Sequence, residues 1–169
     1  MRQVSKIICL LALAGCSDDH RRPELRAALD SAQITLRDSV GVAMLDADGT
    51  AALEARLVME ADPIFSVGVL REIDLRRVDI DIVTGLVRST SPAGTASLSC
   101  PGAIPLDEAL AVAEDAAGGD AVAVVPDDDV ACAREIQVLK ADVLWEVKVG
   151  GDGAVLEQEL SDEYSGSED

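Results

Sequence analysis

The segment Ile34-Thr-Leu-Arg-Asp-Ser-Val-Gly-Val-Ala-Met44 returns seventy positions later as Ile104-Pro-Leu-Asp-Glu-Ala-Leu-Ala-Val-Ala-Glu114. Ile, Leu, an apolar residue and Ala occupy matching positions in both copies. Each copy is followed by a glycine-containing turn, by short strand-like runs and by a closing glycine, Gly85 or Gly153. Self-similarity at a fixed spacing indicates a duplicated structural unit. The sequence therefore predicts two tandem domains.

Each copy opens with a predicted amphipathic helix. In the first copy Thr35 is placed as the N-cap with Asp38 three residues later, close to the pattern of a capping box. In the second copy Pro105 suits the first helical turn and Gly118-Gly119 ends the helix. The residues predicted to face the core are Leu36, Val40, Ala43, Met44 and Ala47 in the first helix, and Leu106, Ala109, Leu110, Ala113 and Ala117 in the second.

The segments after each helix alternate apolar and polar residues, which predicts half-buried strands of antiparallel sheets. One helix covering a small meander would bury both apolar stripes. We therefore predict an α+β fold of two tandem units, each a helix packed on a small antiparallel β-sheet. The predicted inward residues are Phe65, Val67, Val69, Val78, Ile80, Ile82, Ile136, Val138, Trp145, Val147 and Val149, and their polar counterparts include Arg77, Asp79, Asp81, Glu135, Gln137, Glu146 and Lys148.

The N-terminus has the layout of a secretory signal peptide, with a basic start, an apolar run over Ile7–Leu13 and then small residues. Leu13-Ala-Gly-Cys16 resembles the lipobox of bacterial lipoproteins, which implies cleavage before Cys16 and lipidation of its thiol. The alternative is an ordinary cleavage site with a chance cysteine. Several acyl chains, at ~0.8 kcal/mol per buried methylene, would make a stable anchor.

The cysteines fit an exported protein. Cys9 leaves with the signal peptide and Cys16 is the predicted lipid site, which leaves Cys100 and Cys132 as an even pair in an oxidising compartment. A disulfide between them would stabilise the fold by ~3.5 to 4 kcal/mol on the chain-entropy model, and two buried free thiols are the alternative. Ser17 after the lipobox resembles the signal for outer-membrane sorting, so we predict an outer-membrane anchor facing the periplasm.

The remaining stretches are assigned by composition. The segment 89–99 is rich in Ser, Thr, Gly and Pro, which is typical of a linker, and the polar acidic end of the chain is typical of a disordered tail. The predicted organisation is a lipoprotein signal peptide at 1–15, a tether and short helix at 16–33, the first unit at 34–88, the linker at 89–99, the second unit at 100–157 and the tail at 158–169.

Composition excludes several classes of function. The chain of 169 residues carries 14 Lys and Arg against 32 Asp and Glu, a formal net charge of −18. Such a chain repels phosphate backbones, and its three aromatic residues provide no basic stacking surface, so nucleic-acid binding is excluded. His20 is the one histidine, which excludes Ser-His-Asp and Cys-His catalysis and histidine-rich metal sites.

Two acidic turns are candidates for binding calcium. The run Asp127–Asp129 and the turn Asp46-Ala-Asp48-Gly49 offer oxygen atoms suited to a hard cation. The second turn places its glycine too early for an EF-hand loop and lacks the spaced glutamate, so solvated turns are the favoured interpretation. We predict no metal, no cofactor and no enzymatic activity.

The helix and strand spacing resembles the PepSY domain family. The residues that carry the likeness are Leu36, Ala43, Phe65, Val67, Val78, Ile80, Asp81, Thr84, Gly85 and Val87 in the first unit, and Leu106, Ala109, Ala113, Trp145, Val147, Val149, Gly153 and Val155 in the second. The resemblance implies a non-catalytic, export-associated domain of the kind found in propeptides of thermolysin-like metallopeptidases and in stand-alone envelope proteins, with a role in restraining peptidases.

These observations predict an exported, lipid-anchored binding module that restrains a peptidase or holds another envelope protein through its exposed sheet faces and edges. The predicted attachment to the membrane is through the N-terminal lipid, and no nucleic acid is a partner. The alternative is an acidic structural or cation-binding lipoprotein of the envelope without a specific peptidase partner.

Overall fold

The computed structural model describes residues 22–97 and 100–165. The predicted signal peptide and the lipidation site Cys16 lie outside these residues. The described elements are α1 (Pro23–Ser31), α2 (Leu36–Asp46), β1 (Ala51–Val58), β2 (Ile64–Arg71), β3 (Asp74–Asp81), β4 (Val87–Thr95), α3 (Leu106–Ala117), β5 (Asp120–Pro126), β6 (Arg134–Lys140), β7 (Val143–Val149) and β8 (Val155–Leu160).

All eight described strands belong to one antiparallel sheet, in the order β4-β3-β2-β1-β5-β6-β7-β8. The first half of the fold (α2 to β4) and the second half (α3 to β8) meet where β1 pairs with β5, with Ala55 opposite Val124 and Arg56 opposite Ala123. The prediction of two tandem units, each with its own sheet, was therefore wrong. The pairing of β1 with β5 satisfies backbone N–H and C=O groups that each half would otherwise leave unpaired at the edge of its own sheet.

A single core lies between this sheet and the helices. α2 and α3 pack against each other and against the sheet, and Leu25 and Ala28 of α1 join the same core. Phe65, Val67 and Val69 of β2 are fully buried against these helices. Burial of this shared apolar surface makes the two halves one cooperative body.

The helix ends follow local sequence signals. The predicted capping box is confirmed, since the N–H of Asp38 donates to Thr35 Oγ1 at 3.0 Å and the N–H of Thr35 donates to Asp38 Oδ2 at 3.1 Å. The N–H and the hydroxyl of Thr35, which both donate to Asp38 Oδ2, hold the pKa of Asp38 below its usual value. α3 ends at Gly118, whose φ of 72° is left-handed and suits glycine.

Two glycines are expected to respond in opposite directions to alanine substitution. A Cβ at Gly119 would lie 2.5 Å from the carbonyl oxygen of Leu139, so Gly119→Ala is expected to lower the free energy of unfolding by about 1 to 3 kcal/mol. A Cβ at Gly41 in α2 meets nothing within 4 Å, so Gly41→Ala is expected to raise it by about 0.5 to 1 kcal/mol. Urea unfolding of both variants tests this, and equal effects would contradict the described packing.

Two segments differ from their compositional assignment. Residues 87–95 form the edge strand β4, so most of the predicted linker at 89–99 is part of the sheet. β4 resembles a linker in sequence because both of its faces are largely exposed and carry Ser and Thr. The predicted tail at 158–169 likewise includes the end of β8 and Tyr164, which packs against the core.

Candidate binding surface

The sheet has one face that no described helix covers. Cross-strand register places a set of mainly polar side chains together on the side away from α2 and α3, because successive residues of a strand point to opposite faces. We call this surface the open face. It comprises Glu54, Arg56, Ser66, Arg77, Asp79, Ser89, Ser91, Glu135, Gln137, Glu146, Lys148, Glu157 and Glu159.

The second half of the open face is acidic around one lysine. Lys148 Nζ lies 2.6 Å from Asp127 Oδ2 and 3.8 Å from Glu135 Oε1. The Asp127 side chain is fully buried, and its other oxygen accepts the backbone N–H groups of Asp129 and Val130. The Lys148 ammonium lowers the pKa of Asp127, so this pair stays charged at neutral pH.

Two further carboxylates of this half are partly buried beside like charges. Burial raises the pKa of Glu135, and the neighbouring Glu146 adds to the rise. Burial also raises the pKa of Glu146, and Glu159 on β8 adds to that rise. Each carboxylate would lose part of this penalty if a cation approached, because an opposite charge favours the ionised form.

Replacing Glu146 by glutamine is expected to raise the free energy of unfolding at pH 7. A carboxyl group whose folded pKa is raised contributes stability below its ordinary pKa, ~4.3 for Glu, and loses that contribution as the pH rises through the folded value. The gain from Glu146→Gln should therefore shrink as the pH falls to 4. Urea unfolding at both pH values measures it, with Glu108→Gln on the exposed side of α3 as the control. A variant less stable than wild type at pH 7 would contradict the assignment.

The first half of the open face is polar but balanced in charge. Asp79 accepts hydrogen bonds from Ser66 Oγ and from Ser89 Oγ, each at 2.8 Å, which ties β2, β3 and β4 together across this face. Arg56 and Arg77 lie on the same side. The open face therefore changes from mixed charge at the β4 side to strongly negative at the β8 side.

The segment Asp81-Ile-Val-Thr-Gly85, which includes residues of the PepSY resemblance, forms the turn between β3 and β4. Asp81 Oδ1 accepts the N–H groups of Val83 at 2.9 Å and Thr84 at 2.8 Å, and Arg88 pairs with Oδ2. The Arg88 guanidinium and these N–H groups lower the pKa of Asp81 to about 2. Both carboxylate oxygens of Asp81 are thus hydrogen-bonded within the hairpin.

A short C-terminal segment, Ser161–Ser165, crosses the open face, and we call it the strap. The amide of Gln137 holds it, since Nε2 donates to the carbonyl of Glu163 at 2.8 Å and Oε1 accepts the N–H of Ser165 at 2.9 Å. The Tyr164 hydroxyl contacts the carbonyls of Leu57 on β1 and Val122 on β5. These carbonyls lie next to the two residue pairs that join β1 to β5. The strap thus fastens the junction between the halves, and sequence analysis missed it.

The predicted cysteine pair is joined. Cys100 and Cys132 form a disulfide with their Cα atoms 5.5 Å apart. The bridge ties the connection between β4 and α3 to the loop between β5 and β6. Both cysteines lie outside the strands that form the open face.

Carboxylates of the two candidate calcium-binding turns contact other protein groups. Asp127 pairs with Lys148, Asp46 Oδ2 accepts the hydroxyl of Thr90 at 2.6 Å, and Asp48 lies 3.5 Å from Arg71. Within residues 22–97 and 100–165, no three His, Cys, Asp or Glu side chains are grouped so as to hold a metal ion.

A cavity of about 150 Å³ lies between the helices and β5, with Leu29, Gln33 and Ile34 among its lining residues. Glu114 borders it, accepts the N–H of Ala121 at 3.2 Å and has its pKa raised by burial. Small-molecule sites usually span ~300 to 1,000 Å³, so this cavity is small for one. The open face is the larger candidate site.

These features define a class of protein: a duplicated helix-plus-four-strand unit whose halves share one antiparallel sheet with an open polar face. No protein-family model and no curated protein matches this chain. Among solved structures, the chain is similar to a predicted lipoprotein from Clostridium difficile 630 at 15% identity, with a TM-score of 0.46, over 77% of this chain and 95% of that one. The resemblance to PepSY domains therefore stays a prediction.

None of the helices in the described part of the chain is long and apolar enough to cross a bilayer.

Proposed function

We propose that this protein is an exported, lipid-anchored, non-catalytic binding module of the cell envelope, and that the open face receives a protein partner. The observation that carries the proposal is the one-sided sheet: helices cover one face of the eight strands, and the other face, which no described helix covers, presents mainly polar side chains beside buried apolar ones such as Leu139 and Leu144. A broad surface of this kind suits a macromolecule better than a small ligand.

The charge of the open face indicates the chemistry of the partner. Glu135, Glu146, Glu157 and Glu159 lie around Lys148 on its second half, within a chain of net charge −18. Complementary potentials steer association and select partners. The partner surface is therefore basic, and its binding weakens as salt is added.

The lipid anchor rests on the lipobox at Leu13–Cys16 and limits the distance of the body from the membrane. The backbone N–H of Arg22 donates to the carbonyl of Asp142 at 2.6 Å, so the chain enters the fold at the turn between β6 and β7. The six Cα–Cα steps from Cys16 to Arg22 span at most ~20 Å. The β6–β7 end of the sheet would therefore stay within this distance of the membrane.

A peptidase of the same envelope is the partner class that the resemblance to PepSY domains supports. In this role the protein turns over no substrate and acts by stoichiometric restraint. The open face would contact the peptidase, and the helix layer would face away from it.

The proposal is tested by chemical cross-linking of the lipidated protein in its native envelope, with the Cys16→Ser variant as control. We expect one peptidase with a basic surface at near-stoichiometric yield, lost or reduced in the control. The affinity of the purified pair should decrease as the salt concentration is raised from about 50 to about 500 mM, because salt screens the charges. Binding should also inhibit the peptidase. Recovery of abundant porins alone, equally in both samples, would contradict the proposal.

A further inference from the structure

We propose that the outer edge of β8 accepts an extended segment of the partner as a ninth strand, with basic side chains alternating with apolar ones. This inference rests on the proposed function and names how the partner is held. β8 is the last strand in the sheet order, so no described strand pairs with its outer backbone groups. Unpaired N–H and C=O groups on an edge are a template for strand addition.

The two edges of the sheet differ in how they are protected. β4 contains Pro92 and Gly94, and its pairing with β3 is interrupted by two register shifts. Proline and irregular pairing are the usual means by which an edge strand is kept from accepting another strand. β8 contains neither proline nor glycine over Val155–Leu160, and its pairing with β7 has one register shift, between the pairs Lys148–Glu157 and Val149–Val155. The sequence therefore hinders strand addition along β4 and leaves β8 regular from Glu157 to Leu160.

One side of β8 offers apolar surface to an added strand. Val155 lies opposite Val149 and Leu160 lies opposite Trp145, which places both on the helix-covered side of the sheet. They are nevertheless 44% and 45% exposed, and Leu156, at the register shift, is 50% exposed. Gln158, opposite Val147, is the polar residue on this side of β8. An added strand would cover these side chains with every second residue of its own.

The other side of β8 offers carboxylates. Glu157 lies opposite Lys148 and Glu159 lies opposite Glu146, so both point to the open face. Directly opposed residues of neighbouring antiparallel strands have Cβ atoms ~5 Å apart, close enough for ion pairs. Lysine or arginine at alternate positions of the added strand would meet Glu157 and Glu159, and would relieve the like-charge contact between Glu159 and Glu146.

The strap leaves this edge accessible. The N–H of Ser161, directly after β8, donates to the carbonyl of Leu144 at 3.1 Å, which continues the pairing of β8 with β7 by one residue. The strap then proceeds to Gln137 on β6 and away from the outer side of β8. The edge of β8 is thus free of the described strap.

The test uses two synthetic peptides of the same composition with the full-length protein in detergent micelles. The first, acetyl-Lys-Val-Lys-Ile-Arg-Val-amide, alternates basic and apolar residues. The second, acetyl-Lys-Lys-Arg-Val-Ile-Val-amide, does not. We expect the alternating peptide to bind at least about tenfold more tightly, since only it matches both sides of β8. Hydrogen exchange should slow in β8 and stay unchanged in β4.

Backbone methylation separates strand pairing from charge attraction. N-methylation of every second residue of the peptide blocks the N–H groups that face β8. N-methylation of the intervening residues blocks only the N–H groups that face solvent. We expect one methylated peptide to lose about tenfold or more in affinity and the other to bind nearly as the parent. Glu157→Gln with Glu159→Gln should weaken binding, whereas Glu108→Gln with Asp115→Asn, on the exposed side of α3, should not.

Equal binding of the two isomers, or equal loss from both methylation patterns, would overturn the inference, because attraction to an acidic surface alone would explain it. Absence of binding by either peptide would also overturn it. The proposed function is tested separately, by whether a partner is captured in the envelope. If a captured partner binds equally well to the β8 variants, the proposed function holds and the addition of a ninth strand is wrong.

Discussion

Replacing Tyr164 by alanine is expected to lower the free energy of unfolding by about 3 kcal/mol, toward the lower end of the range for large aromatic truncations. The ring packs against the core, and burial raises the pKa of its hydroxyl. That hydroxyl donates to the carbonyl of Leu57 and lies 3.3 Å from the carbonyl of Val122. Loss of the ring would leave both carbonyls and the junction of β1 with β5 uncovered.

The Tyr164→Phe variant separates packing from hydrogen bonding. It keeps the ring and removes the donor, so we expect a loss of about 1 to 3 kcal/mol from the unsatisfied carbonyl. Glu163→Gln is the matched control in the same strap, because the fold uses only the backbone carbonyl of Glu163. Urea unfolding measures all three. An alanine variant as stable as the wild type would show that the strap does not fasten the halves.

Loss of the disulfide is expected to have the second large effect. Replacing both Cys100 and Cys132 by serine should lower the free energy of unfolding by ~3.5 to 4 kcal/mol, because the unfolded chain then regains the freedom of the closed loop. The double substitution avoids a lone reactive thiol. Unfolding with and without reductant is the measurement: the wild type should lose this stability on reduction and the double variant should not respond. A wild type indifferent to reductant would contradict the bridge.

Much of the local structure follows from residue patterns. Both duplicated helices begin at the second apolar position of the repeat, Leu36 and Leu106, and the strands that alternate cleanly, such as β3 and β7, lie where period two places them. Cap residues and period-two alternation act over a few neighbours, so a single sequence contains the information for them.

The union of the halves could not be predicted from those patterns. β1 and β5 lie at the centre of the sheet, and a strand buried on both faces reads as a nearly continuous apolar run. The run Ala121–Val125 is such an apolar run, and the sequence analysis does not assign it to a central strand. β4 was missed for the opposite reason, since an edge strand exposed on both faces has the composition of a loop.

Part of the open face could be predicted from the sequence. Residues such as Asp79, Glu135 and Lys148 were predicted to lie opposite the apolar stripes, and they do. Their union into one surface depends on the β1–β5 pairing. The strap depends on contacts 24 to 28 positions away, between Gln137 and Ser161 or Ser165, which no local pattern reports.

Site-specific photo-cross-linking in the native envelope tests the central claim most directly. A benzoylphenylalanine is placed at Arg77 or Glu159 on the open face, and at Glu108 or Asp115 on the exposed side of α3. We predict that the open-face positions form adducts with one and the same envelope protein and that the helix positions form none with it. Adducts with that protein from the helix positions alone would place the partner on the other side of the sheet and contradict the account.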